Sequence, residues 1–296
     1  MAHLLPLDER ERQYSPSSCI GGDYQPYLRQ YVELSASVPA ACTLRRDLAY
    51  GTKPANRLDL FVPLADVASS SAPALLVFIH GGYWQELSKE SSLFAAGACI
   101  DAGFAFAAID YTLAPAASLL EIVLECRQAL RWLHAQAAEL GVDPARIVVA
   151  GSSAGAHLAA MACVRDWQED ENLAPDLPAG AVLVSGIYAL EPLLGTSIAA
   201  PLGLTESAAL VVSPRWLAHD HFPPTIVCWG EVETDEFKRQ SRDFAASLTT
   251  TGIAEISCFE IPERNHFDVI LDLAQRDTLL GAASLRMLNG RNKDAS

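Results

Sequence analysis

The chain has 296 residues, 50% of them hydrophobic and 19% charged, which is ample material for a sizeable α/β core. A formal net charge of −15 argues against nucleic acid or an anionic membrane as partner, because both reward clustered Lys and Arg. The seven cysteines are scattered and lack C-x-x-C spacing, which suits buried thiols in a reducing compartment better than disulfides or a zinc site.

In chain order, the stretch Met1 to Gln13 is charged and has no apolar signal-peptide core, and no apolar run is long enough to span a bilayer. A soluble cytoplasmic protein is expected. Runs that read as strands fall at Arg57–Val62, Ala74–Ile79, Phe104–Ile109, Arg146–Ala150, Ala181–Ser185, Thr225–Trp229 and Glu255–Glu260. Helical patterns alternate with them, the sign of βαβ units and a mostly parallel central sheet flanked by helices. A single domain over residues 1–296 is expected, with Ala68–Pro73 as a short connection between strands. The plainest helix is Glu121–Leu140, read with Leu124, Leu130, Leu133 and Ala137 on one face. A last helix is expected over Asp268–Leu288, with Asp268 as its cap. From Ile187 to Pro223 the rhythm breaks into short apolar pieces with several prolines, which reads as a small cap insert over a site.

Two glycine-bearing motifs end predicted strands. Gly151-Ser152-Ser153-Ala154-Gly155 has the G-x-S-x-G form of the nucleophile elbow in the α/β-hydrolase fold, with Ser153 as nucleophile. A turn that projects one side chain needs a strained backbone, and neighbours without Cβ atoms avoid clashing with it. His80-Gly81-Gly82-Tyr83-Trp84 reads as the loop that completes the oxyanion hole, through the amides of Gly82 and Tyr83 beside that of Ala154. His157 and His80 read as structural residues.

In this fold the acid and then the histidine follow the serine. His266 lies after the last predicted strand, where the base belongs, whereas His219 and His221 fall in the insert. The acid lies in the crowded loop Gly230–Phe237. Glu233 fits by its distance past the strand end, and Asp235 is the alternative, with Asp235 and Glu236 placed to start a helix over Glu236–Thr249.

The loop His80–Trp84 resembles the H-G-G-x-W motif of the kynurenine formamidase (arylformamidase) family. Three further segments are similar to that family: Tyr14-Ser15-Pro16-Ser17, Glu236-Phe237-Lys238-Arg239-Gln240-Ser241 and Asn265-His266-Phe267-Asp268. Together they run from near the N-terminus to the last helix. The resemblance sets the register of the acid loop, so that the family's usual aspartate falls on Glu233. It implies hydrolysis of N-formyl-L-kynurenine to L-kynurenine and formate, with no metal and no organic cofactor, and a small aryl formamide as the partner. A general carboxylesterase or amidase is the alternative on the same machinery. An aryl leaving amine wants flat walls, for which Tyr83, Trp84 and Phe267 are candidates, although Trp84 could equally be a loop-packing residue. The oligomeric state is left open, a homodimer included.

Overall fold

The computed structural model describes residues 5–37, 39–64, 71–164, 177–250 and 255–290. Its strands are β1 (Cys42–Ala49), β2 (Arg57–Pro63), β3 (Leu75–Ile79), β4 (Ala105–Ile109), β5 (Ile147–Ser152), β6 (Gly180–Val184), β7 (Thr225–Val232) and β8 (Ile256–Asn265). They form one sheet in the order β1-β2-β4-β3-β5-β6-β7-β8. β1 pairs antiparallel with β2, and β2 with β4. Every pairing from β4 to β8 is parallel. Strands β3 to β6 are buried at every position, so they read as unbroken apolar runs rather than as alternating ones.

The helices are α1 (Leu7–Gln13), α2 (Gln25–Ser35), α3 (Ala96–Asp101), α4 (Leu119–Leu140), α5 (Ala154–Cys163), α6 (Ala199–Leu202), α7 (Glu206–Val211), α8 (Asp235–Thr250) and α9 (Leu279–Asn289). Alternate residues of a strand point to opposite faces. Leu75, Val77 and Ile79 of β3 accordingly enter one core layer with α4, α5 and α8, while Leu76 and Phe78 enter the other with α3 and α9. Among the described residues no helix is long and apolar enough to cross a membrane.

Three expectations are corrected. In α4 the buried face carries Leu119, Ile122, Cys126, Leu130, Leu133 and Ala137, while Leu124 is 46% exposed, six residues before Leu130 and so rotated off that face. The expected final helix is two pieces. A 3₁₀ turn over Val269–Ala274 is followed by α9, whose first turn is capped by Thr278 Oγ1 accepting from the N–H of Gly281 at 3.0 Å. Asp268 does not cap it; its carboxylate accepts from the Asn265 backbone N–H at 2.7 Å and from Asn265 Nδ2 at 2.8 Å. Strand β1 was not expected at all, because it is a half-exposed edge strand bulged between Arg45 and Leu48. Of the expected connection Ala68–Pro73, residues 68–70 lie outside the described residues.

The α4 faces are separable by substitution. Leu133→Ala should cost about 2–4 kcal/mol of stability, and Leu124→Ala should stay within about 0.5 kcal/mol. Urea unfolding midpoints at constant m-value read both.

Candidate active site

The parallel register sets Ile79 beside Gly151, so the loops leaving β3 and β5 start side by side. Ser153 sits at the sharp turn from β5 into α5 with φ 57° and ψ −120°, a conformation that typically costs about 1–3 kcal/mol. Glycine permits the close approaches around it. A Cβ on Gly155 would fall 2.0 Å from the Ile79 carbonyl oxygen, and one on Gly151 would fall 2.3 Å from Gly155 backbone atoms. A Cβ on Gly81 would lie 2.9 Å from Ser152 O, so the two loops touch through backbone.

The N–H of Ser153 donates to Val184 O at 2.8 Å and is thereby committed. Ala154 opens α5, where the first N–H groups have no intrahelical partner and the helix dipole favours negative charge. Gly82, Tyr83 and Trp84 are consecutive left-handed residues with φ of 88°, 50° and 61°. Successive amides in such turns form concave anion sites. His80, at the head of this loop, is buried, stacks on Tyr111 at 4.2 Å, and donates from Nδ1 to Gly81 O at 3.0 Å. Burial lowers its pKa to about 4, so it is neutral at neutral pH.

Glu233 and His266 meet beyond β7 and β8. His266 Nδ1 donates to Glu233 Oε2 at 2.9 Å, and both side chains are buried. Glu233 Oε1 accepts from Gly230 N–H at 2.7 Å and from Ser185 Oγ at 2.5 Å. Asp235 is the first residue of α8, and Glu236 behind it is held by Arg239 and by the Tyr14 hydroxyl at 2.8 Å. Burial opposes ionisation of Glu236, but the Arg239 and Tyr14 hydrogen bonds prevail and hold its carboxyl below the usual range. Ser185 has no sequence signature beyond ending a strand; the structure gives it a left-handed φ of 52° and points its hydroxyl at Glu233.

Ser153 and His266 line one cavity together with Gly82, Tyr83 and Phe267. The walls are mainly aromatic and aliphatic: Phe78, Phe94, Ile270, and Tyr24, Leu28 and Tyr31 of the N-terminal segment. Tyr24 and Tyr27 stack on Phe267 with centroids at 5.3 and 5.7 Å, and the Tyr31 hydroxyl donates to Phe267 O. This roof escaped the sequence reading. Its trace is the spacing of three and four between Tyr24, Tyr27 and Tyr31, one side of a helical turn.

Two expected neighbours lie elsewhere. Trp84 is fully buried in the core, edge-on to His157 at 5.1 Å, and is a packing residue rather than a cavity wall, since its left-handed backbone turns the indole inward. The segment 187–223, expected as a cap, contributes none of the described residues that line the cavity. It packs instead on α5 and α8: Tyr188 stacks on Phe244 at 4.2 Å, and His157 Nε2 donates to Val212 O at 2.7 Å.

The turn Gln13–Tyr14, ahead of the roof, joins the loops that follow β7 and β3. Thr234 Oγ1 donates to Gln13 O at 2.6 Å, Gln240 Nε2 to the Tyr14 hydroxyl at 2.9 Å, and the Tyr83 hydroxyl to Tyr14 O.

A family model described as BD-FAE matches residues 58–179. The kynurenine formamidase of Danio rerio is 32% identical, with 96% of this chain and 97% of that protein covered. The chain belongs to the kynurenine formamidase family. The kynurenine formamidase of Salmo salar is 31% identical over 95% of this chain and 96% of its own. Among solved structures, a Silicibacter sp. TM1040 protein provisionally described as a thioesterase superposes with a TM-score of 0.77 at 28% identity, covering 91% of this chain and 96% of that one. The fold of this family member is thus that of the α/β-hydrolases, and the chain is a hydrolase.

Gly155→Ala tests the close approach at the elbow. A methyl group 2.0 Å from the Ile79 carbonyl must push α5 off β3, which should lower stability by more than about 2 kcal/mol, read in thermal unfolding.

Proposed function

We propose that this family member is a serine hydrolase that cleaves N-formyl-L-kynurenine to L-kynurenine and formate, a step in tryptophan degradation. The supporting observation is a buried His266–Glu233 pair on the same aromatic cavity as the strained Ser153. Ser153 Oγ attacks the formyl carbon while its proton passes to His266. The oxyanion that forms is held by the amides of Ala154, Gly82 and Tyr83. Glu233 stabilises the imidazolium, with Ser185 and the Gly230 amide fixing the carboxylate. His266 then protonates the departing aryl nitrogen, which leaves as the amine, and a formyl-enzyme remains. Water, deprotonated by His266, attacks that ester and releases formate and the serine. Tyr83 and Phe267, with Tyr24 and Tyr31 over them, give the aryl ring flat apolar surfaces. The free cysteines fit a reducing, cytoplasmic compartment.

Steady-state kinetics provide the test. The value of kcat/KM for N-formyl-L-kynurenine should exceed that for p-nitrophenyl acetate; strong ester turnover with negligible formamide turnover would sink the proposal. Ser153→Ala should abolish both turnover and covalent labelling by a serine-directed phosphonate. Glu233→Ala should lower kcat by about a hundredfold to ten-thousandfold. Asp235→Ala should stay within a few-fold of the parent, and the reverse pattern would move the triad acid to Asp235.

A further inference from the structure

We infer that Glu86 is the subsite for a cationic group of the substrate, an ammonium carried by the leaving half of the formamide. The choice of formamide rests on the function proposed above. Only Gln85 separates the residue from the oxyanion loop, and its N–H donates to Gly82 O at 3.0 Å. A Cβ on Gly82 would fall 2.8 Å from Glu86 Cγ, so the side chain starts against the glycine assigned to the oxyanion hole. Glu86 is exposed and lines the same cavity as Ser153 and His266.

The charge inventory of that cavity is one-sided. Among the described residues that line it, Glu86 is the one carboxylate and none is a Lys or Arg. Among the described residues no Lys, Arg or His lies within ion-pair distance of the Glu86 carboxylate. Partial burial raises its carboxyl above the usual range, and its charge in turn raises the Tyr24 hydroxyl, which places the two groups near one another. Tyr24 lies flat on Phe267, and a cation between a carboxylate and such ring faces gains from both.

The position also carries a penalty. A carboxylate on the cavity that holds the oxyanion donors opposes the negative charge that builds on the formyl oxygen. An ammonium seated on Glu86 cancels that field. Glu86 therefore discriminates: it favours substrates that bring their own cation and slows those that do not.

The experiment compares N-formyl-L-kynurenine with its desamino analogue, in which hydrogen replaces the ammonium, on the parent and on Glu86→Gln. The parent should show a kcat/KM ratio of about ten or more in favour of the amine, shrinking as salt is raised, and Glu86→Gln should cut that ratio by about tenfold. An equal loss on both substrates, or an unchanged ratio, would overturn the inference. If the parent hydrolyses neither formamide, the proposed function fails while the subsite is still tested by calorimetry with L-kynurenine and desaminokynurenine. The amine should bind about tenfold tighter to the parent and with no advantage to Glu86→Gln. Equal binding of the two to the parent, or no binding of either, overturns the subsite as well.

Discussion

The site depends on how closely two backbones approach at the C-terminal ends of β3 and β5. Gly155 lies so near the Ile79 carbonyl, and Gly81 so near that of Ser152, that side chains at either position would part them. That contact fixes where the oxyanion loop stands relative to Ser153. It also explains why the turn can hold a left-handed serine: the parallel ladder with Ile79 and Leu183 on either side of Gly151 over-determines the strand end. The strain at Ser153 is thus carried by the hydrogen-bonded sheet.

Around this fixed pair, the remaining parts are hung on by longer connections. Glu233 is aimed by a carboxylate clamp of Gly230 and Ser185, from the ends of adjacent strands β7 and β6. The turn Gln13–Tyr14 then joins the acid loop, through Thr234, to the oxyanion loop, through Tyr83. One short stretch near the N-terminus thereby sets two loops that approach the cavity from opposite sides of the elbow. Hydrogen bonds of this buried kind are costly to leave half-made, so the stretch is bound firmly in place.

Much of this was legible in the sequence, and the reasons for the gaps are physical. Strands buried on both faces announce themselves as apolar runs, so β3 to β6 were located to within about two residues at each end. β1 escaped because an edge strand has no second layer to fill and carries Arg45, Arg46 and Asp47 instead. Glu233 was preferred to Asp235 for its distance past an expected strand end at Trp229; β7 runs on to Val232, and Glu233, directly after it, is the one hydrogen-bonded to His266. Trp84 misled because adjacency in sequence says nothing of direction when the backbone turns left-handed. The segment 187–223 misled because irregularity marks many things besides a cap, and its apolar pieces are consumed by α5 and α8. The roof was invisible because Tyr24 and Tyr31 do their work on Phe267, which lies more than two hundred residues away along the chain.

That last separation bears on how the molecule is made. The tyrosines of the roof are synthesised more than two hundred residues before Phe267, the ring they rest upon. Until Phe267 is made the roof has nothing to close over, and its aromatic side chains must stay uncommitted while the sheet assembles beneath them. The final strand and its histidine loop therefore complete the pocket and give the N-terminal segment its seat at the same moment. Completion of the site and cover for those aromatics against misassociation arrive together.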